Sequence, residues 1–258
     1  MGLINPNKKY KKLITVGCSF TNGHNTHAQG TWGSFLSDLL NCEHETWSNS
    51  GSSNTCILNN VVNYCETQDL NDICIGIQWS EFTRREVWSM NNKSYMSFTA
   101  TGLLDKKYEI PNVDISCFRE NMDSFLSVWF DYKENILRTI YNMFLVKNYL
   151  ESKKVDFIMF EGLGSILDMY YPSIEIENME KDDVGQRELS MLKDNVKLKI
   201  FEDVTFFKKY GTMQKSMQNS HLYDESLNDG HPNIEFCKWW SKEIHNYLVE
   251  NNINSTFR

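Results

Sequence analysis

The chain has 258 residues, of which 41% are hydrophobic and 13% aromatic, enough apolar material for one large core and too much for general disorder. A formal net charge of -8 argues against a nucleic-acid or anionic-membrane partner, since neither polyanion is attracted to an acidic surface. No apolar run approaches the roughly 20 residues of a membrane helix, and no charged start followed by an apolar stretch marks a secretory signal. Cytoplasmic synthesis is the expectation, and any role outside the cell requires another exit, such as lysis or assembly into a particle.

In chain order, the Lys-rich opening (Lys8, Lys9, Lys11, Lys12) reads as a solvated flank. Leu13 to Val16 is a short apolar, β-branched run ended by Gly17, the pattern of a buried parallel strand. From Thr31 to Leu40, a helix places Trp32, Phe35, Leu36, Leu39 and Leu40 on one face. Glu45 to Ser48 is a weaker second strand, and Ser53-Asn54-Thr55 supplies N-cap chemistry for a helix through Ile57, Leu58, Val61, Val62 and Tyr64. Asp72 to Gln78 is a third strand. Leu137 to Leu150 is amphipathic, with Ile140, Tyr141, Phe144, Leu145 and Leu150 as its apolar set, and it feeds a fourth strand at Val155 to Phe160, closed by Gly162. A last helix starts after Pro232, whose fixed φ suits a first-turn position, with Phe236, Trp239, Trp240, Ile244, Tyr247 and Leu248 toward the core.

Strands alternating with helices predict an α/β fold with right-handed crossovers: a three-layer α/β/α sandwich around a mostly parallel, flavodoxin-like sheet. Residues 81–132, rich in Trp, Phe and Met without clean periodicity, and residues 165–215, charged and mixed, read as insertions over the carboxyl ends of the strands, where sites of this fold class lie. With only four prolines, no repeat and no linker-like tract, residues 1–258 are expected to form one domain. The seven cysteines include no CxxC pair and no zinc-ligand spacing; Cys56, Cys65, Cys74 and Cys237 sit in apolar runs and read as reduced, buried thiols.

Four segments carry candidate chemistry. Ser19, in Gly17-Cys18-Ser19-Phe20-Thr21, leaves the first strand into a turn, where a hydroxyl is presented at the sheet edge beside backbone N–H groups that favour negative charge; by itself such a Ser more often caps the next helix. Gly51, in Asn49-Ser50-Gly51-Ser52-Ser53-Asn54, can bring a bare N–H close to a ligand, or simply make a β-to-α turn. Gln78, at the end of the third strand, offers an amide donor at the same edge. Asp229-Gly230-His231-Pro232-Asn233 places a carboxylate and an imidazole in one Gly/Pro turn, which reads equally as a surface turn capping the last helix. A nucleophilic hydroxyl needs a base, and the base needs a carboxylate to hold its tautomer.

The order and spacing of these four blocks resemble the SGNH hydrolases, also called the GDSL esterase/lipase family. Gly17-Cys18-Ser19-Phe20 matches its first block, Gly51 its second, Gly76-Ile77-Gln78-Trp79 its third, and Asp229 with His231 its last. Gln78 through Glu86 resembles a divergent branch found in bacteriophage and environmental bacterial genomes. The chain departs from the family pattern in three places: Cys18 stands for an Asp, Gln78 for an Asn, and the carboxylate, Asp229, lies two residues before His231 instead of three, with Asn228 at the usual place and Asp224 nearby.

The resemblance implies a serine esterase. Ser19 would attack an ester carbonyl, His231 would take and later return the proton, and Asp229 would orient His231. The Ser19 and Gly51 backbone N–H groups and the Gln78 amide would form the oxyanion hole. Trp79, Arg84 and His24 would line the substrate site, with no cofactor and no metal. The implied substrate is a small-molecule or carbohydrate ester. A transferase using the same acyl-enzyme is a variant of this reading. The alternative class is a weakly active or inactive binding or structural protein on the same fold, for example a virion component or a homo-oligomeric assembly. Three further arrangements carry less. His24 and His27 lack further ligands for a metal. Cys18 points opposite to Ser19 at a strand exit. Arg84 and Arg85 read as a solvated pair against Glu81 and Glu86, although they could clamp an acidic group.

Overall fold

The computed structural model describes residues 2–23, 30–89, 94–98, 132–163, 207, 211–222 and 230–255. Among the described residues, four parallel strands form the central sheet: β1 (Lys12–Val16), β2 (Glu43–Thr46), β3 (Ile73–Trp79) and β6 (Asp156–Glu161), in the order β2-β1-β3-β6. Register pairs Val16 with Ile77 and Gln78 with Phe160. The helices among the described residues are α1 (Ser19–Asn22), α2 (Trp32–Leu40), α3 (Asn54–Thr67), α4 (Tyr132–Lys153), α5 (Met213–Gln218) and α6 (Ile234–Ser255). The strand order reverses between β1 and β3, and the carboxyl ends of those two strands form the switch point at which doubly wound sheets bind ligands.

Strand alternation sorts the core into two faces. Ile14, Val16, Ile73, Ile75, Ile77, Trp79, Phe157 and Met159 pack with α3 and α4. Leu13, Cys74, Ile158 and Phe160 pack with α2, α5 and α6. The expected three-layer α/β/α sandwich is therefore present. On the second face, Trp32 meets Phe160 edge-on with ring centroids 5.0 Å apart, and Ser241 Oγ donates to the Trp32 carbonyl at 2.6 Å, tying α6 to α2.

Three expectations are corrected. β2 lies two residues earlier than predicted, at Glu43–Thr46, because the partner register with Lys12–Thr15 outweighs its weak local pattern. The core face of α4 is Ile136, Ile140, Met143, Val146 and Leu150; Tyr141, Phe144 and Leu145 are more than half exposed, so the helix is rotated relative to the face read from its aromatic residues. Pro232 is not in the first turn of α6: Asn233 caps that helix, its Oδ1 accepting the Phe236 N–H at 2.8 Å, and Pro232 precedes the cap. The first insertion contains an antiparallel pair, β4 (Arg85–Ser89) and β5 (Ser94–Phe98), which the sequence pattern did not reveal. Of the cysteines, Cys18, Cys65, Cys74 and Cys237 are buried, and Cys42 and Cys56 are half-buried. No helix among the described residues is long and apolar enough to cross a membrane.

Candidate active site

β1 ends at Val16, and Ser19 opens the four-residue α1. Cys18 is extended at the N-cap without a side-chain cap; its carbonyl accepts from Thr21 and Asn22, and Gly23 closes the turn in the left-handed region at φ 76°. Ser19 sits just beneath the surface at 6% exposure. A single turn of helix does not hold itself together by local hydrogen bonds, because nucleation fixes several dihedrals for each bond gained. Its geometry must come from what it packs against.

Gln78 supplies that packing. Its Oε1 accepts from the Cys18 N–H at 3.2 Å, the Cys18 thiol at 3.3 Å and the Thr21 hydroxyl at 2.9 Å. Its Nε2 donates to the Trp79 carbonyl at 2.7 Å. Thr21 Oγ1 in turn accepts from Trp32 Nε1 at 3.1 Å. The side chain lies against two glycines: a Cβ on Gly17 would collide first with Thr21 Oγ1 and stand 2.8 Å from Gln78 Oε1, and one on Gly162 would stand 2.7 Å from Gln78 Cγ and closer still to its amide. Gln78 is fully buried. The expectation that its amide faces a substrate oxyanion is therefore corrected: residue 78 lies on β3 one position before the strand ends, and its side chain is directed under α1 instead of into open space.

His231 is half-buried, and its ring meets Phe20, the neighbour of Ser19, edge-on at 5.5 Å. The turn that delivers it is fixed at both ends. Gly230 adopts φ 86°, which an L side chain rarely accepts. Asn233 donates to the Leu222 carbonyl at 2.7 Å while capping α6. The structure thus brings His231 to the α1 turn that carries Ser19. Asp229, Asp224 and Asn228 lie outside the described residues, as do His24 and His27.

Gly51 adopts φ 81° with open space where a Cβ would stand. The turn around it is closed by the Ser52 N–H and hydroxyl, both donating to the Asn49 carbonyl. Ser53 then caps α3, accepting from the Thr55 and Cys56 amides, and its own hydroxyl donates to Glu86. Arg84 lies over this loop, with Nη1 3.4 Å from the Ser52 carbonyl oxygen. Arg85 pairs with Glu134 of α4, so the predicted pairing of the two arginines with Glu81 and Glu86 is replaced by contacts to other elements. Trp79, proposed as a substrate contact, is fully buried in the α3/α4 core; an odd-numbered position on β3 faces that layer, and the ring cannot reach a ligand. Burial pushes the Cys56 thiol up, and nearby Glu86 adds to the shift, so this thiol is not an activated nucleophile.

The sequence reading missed Thr21, Gly162 and Phe20. Gly162 was visible only as a strand terminator, and Thr21 only as a turn residue. Among the described residues, no group of three or more His, Cys, Asp or Glu side chains could hold a metal ion.

No family model matches the chain, and no curated protein matches it. Solved structures similar to it include the psychrotrophic esterase EstA from Pseudoalteromonas sp., 9% identical over 95% of this chain and 99% of that one, with a TM-score of 0.48. A second is TesA, 11% identical over 92% and 98%, TM-score 0.46. A third is a member of the lipolytic protein G-D-S-L family from Veillonella parvula, 14% identical over 93% and 96%, TM-score 0.42.

Proposed function

We propose that this chain is a serine acyl hydrolase acting on small-molecule or carbohydrate esters. The observation that supports the reading is the edge-on contact of the His231 ring with Phe20, the residue after Ser19, in the turn that follows β1 at the β1/β3 switch point. In this reading Ser19 Oγ attacks the ester carbonyl as His231 takes its proton. The tetrahedral oxyanion is held by the Ser19 and Gly51 backbone N–H groups. The carbon–oxygen bond to the leaving alcohol breaks as His231 returns the proton, and water then repeats the sequence to release the acid. Asp229 is the proposed orienting carboxylate, and Arg84, over the Gly51 loop, is the proposed contact for a polar part of the substrate.

A second reading, a binding or structural protein on the same fold such as a virion component, is favoured by the burial of Gln78, which takes away one expected oxyanion donor. Turnover of p-nitrophenyl acetate by the wild type and by Ser19→Ala separates the two. Ser19-dependent hydrolysis supports the first reading. A wild type no faster than the variant, with both folded by circular dichroism, supports the second.

A further inference from the structure

We infer that Gln78 is a positioning residue: through its Oε1 it sets the geometry of the turn that carries Ser19, with the glycine at 162 leaving room for its amide and the glycine at 17 leaving room for Thr21 and for Oε1. The inference rests on the acyl-hydrolase reading for its kinetic consequence, but the clamp itself is a structural statement. Three donors converge on one oxygen, two from Cys18 and one from Thr21. They bracket Ser19 on both sides in sequence. The amide orientation is fixed independently at its other end, because Nε2 meets a carbonyl that can only accept. That same Trp79 carbonyl also accepts the Gly162 N–H at 2.7 Å, so the β3 end, the β6 end and the α1 turn share one buried hydrogen-bonded junction.

The junction explains two residues that otherwise have no role. Cys18 supplies a small side chain whose thiol can donate to Oε1. Thr21 passes the link on to Trp32 Nε1, and so to α2. Through this chain the short α1 turn, which has no side-chain N-cap, is anchored to both β3 and α2. A reacting hydroxyl displaced by about 1 Å can lose on the order of 100-fold in rate, so a clamp on the adjacent amide controls kcat without touching substrate.

The test pairs Gln78→Met, which keeps length and removes the hydrogen bonds, with Thr21→Val, which removes one donor to Oε1 together with the acceptor of the Trp32 indole N–H. With p-nitrophenyl acetate, both variants are expected to lower kcat by about 10- to 100-fold with KM little changed, and the double variant is expected to be no worse than the more impaired single. Amide exchange at residues 18–22 is expected to speed up in both variants while β3 keeps its protection. Full additivity, or a Thr21→Val enzyme with wild-type kcat and unchanged exchange, overturns the clamp. A purely structural role lowers the urea midpoint of both variants but leaves kcat of the folded protein intact, and that outcome also overturns it. If the wild type shows no Ser19-dependent turnover, the acyl-hydrolase reading fails, and the exchange of residues 18–22 alone decides whether Gln78 holds the turn.

Discussion

Gly162→Ala measures how firmly Gln78 is seated. An added Cβ would stand 2.7 Å from Gln78 Cγ and closer still to Cδ and Nε2, whereas non-bonded heavy atoms rest at about 3.5–4 Å, so something must move by well over 1 Å. One route expels the Gln78 amide. The Cys18 N–H then loses its acceptor in a buried place, and the Thr21 hydroxyl and the amide itself lose partners, at about 1–3 kcal/mol for each group left unsatisfied. The other route displaces the end of β6. That strains the Gly162 N–H bond to the Trp79 carbonyl and the Gln214 N–H bond to the Gly162 carbonyl, on top of the roughly 1–3 kcal/mol of overpacking. The first route costs about 3–9 kcal/mol for its three groups; the second starts from about 1–3 kcal/mol of overpacking, is the cheaper, and sets the expected loss at about 2–4 kcal/mol. Urea unfolding followed by tryptophan fluorescence, with circular dichroism as the second probe, gives the value. In a Gln78→Ala background the obstacle is gone, and the same substitution is expected to cost well under 1 kcal/mol. An equal cost in both backgrounds, or a neutral effect in the wild type, refutes this seating.

Two other substitutions separate the faces of α4. Met143 is fully buried and Phe144 is more than half exposed. Met143→Ala is expected to lose about 2–5 kcal/mol, while Phe144→Ser stays within about 0.5 kcal/mol; the reverse order in urea midpoints would restore the sequence-based face. His44 predicts a pH dependence. Its ring packs against Thr15 Oγ1 at 2.8 Å, and burial lowers its pKa from 6.5 to about 4. The unfolded chain therefore binds a proton that the folded chain refuses as pH falls from about 6.5 to about 4. Stability is full above that window and declines through it, by up to about 3 kcal/mol from this group. His44→Gln is expected to flatten that decline, and an unchanged slope of stability against pH between 4 and 6.5 would count against the buried neutral ring.

The expected strand–helix alternation was legible because period is a local property. Leu13 to Val16, Asp72 to Gln78 and Val155 to Phe160 are β-branched and apolar on both faces, as a strand covered by helices on both sides must be, and each lies within one residue of an observed strand. Ser53 announced α3 through its capping oxygen. The β4–β5 pair was illegible because its stability comes from cross-strand partners, not from any period within residues 85–98. The α4 face was misread because three apolar residues, Tyr141, Phe144 and Leu145, sit beside the buried set and compete for the same helical stripe.

The same division runs through the site. Sequence alone singled out the candidate turns, because each has a local signature: Gly before Ser19 at a strand exit, and Gly and Pro around His231. Only the tertiary structure decided what Gln78 and Trp79 do. Adjacent residues on a strand point to opposite faces, so Trp79 entered the α3/α4 core and Gln78 turned beneath α1. Which face holds a helix layer and which strand end meets the turn that carries Ser19 are set by the β2-β1-β3-β6 order, a property of long-range pairing that no local stretch of the chain contains.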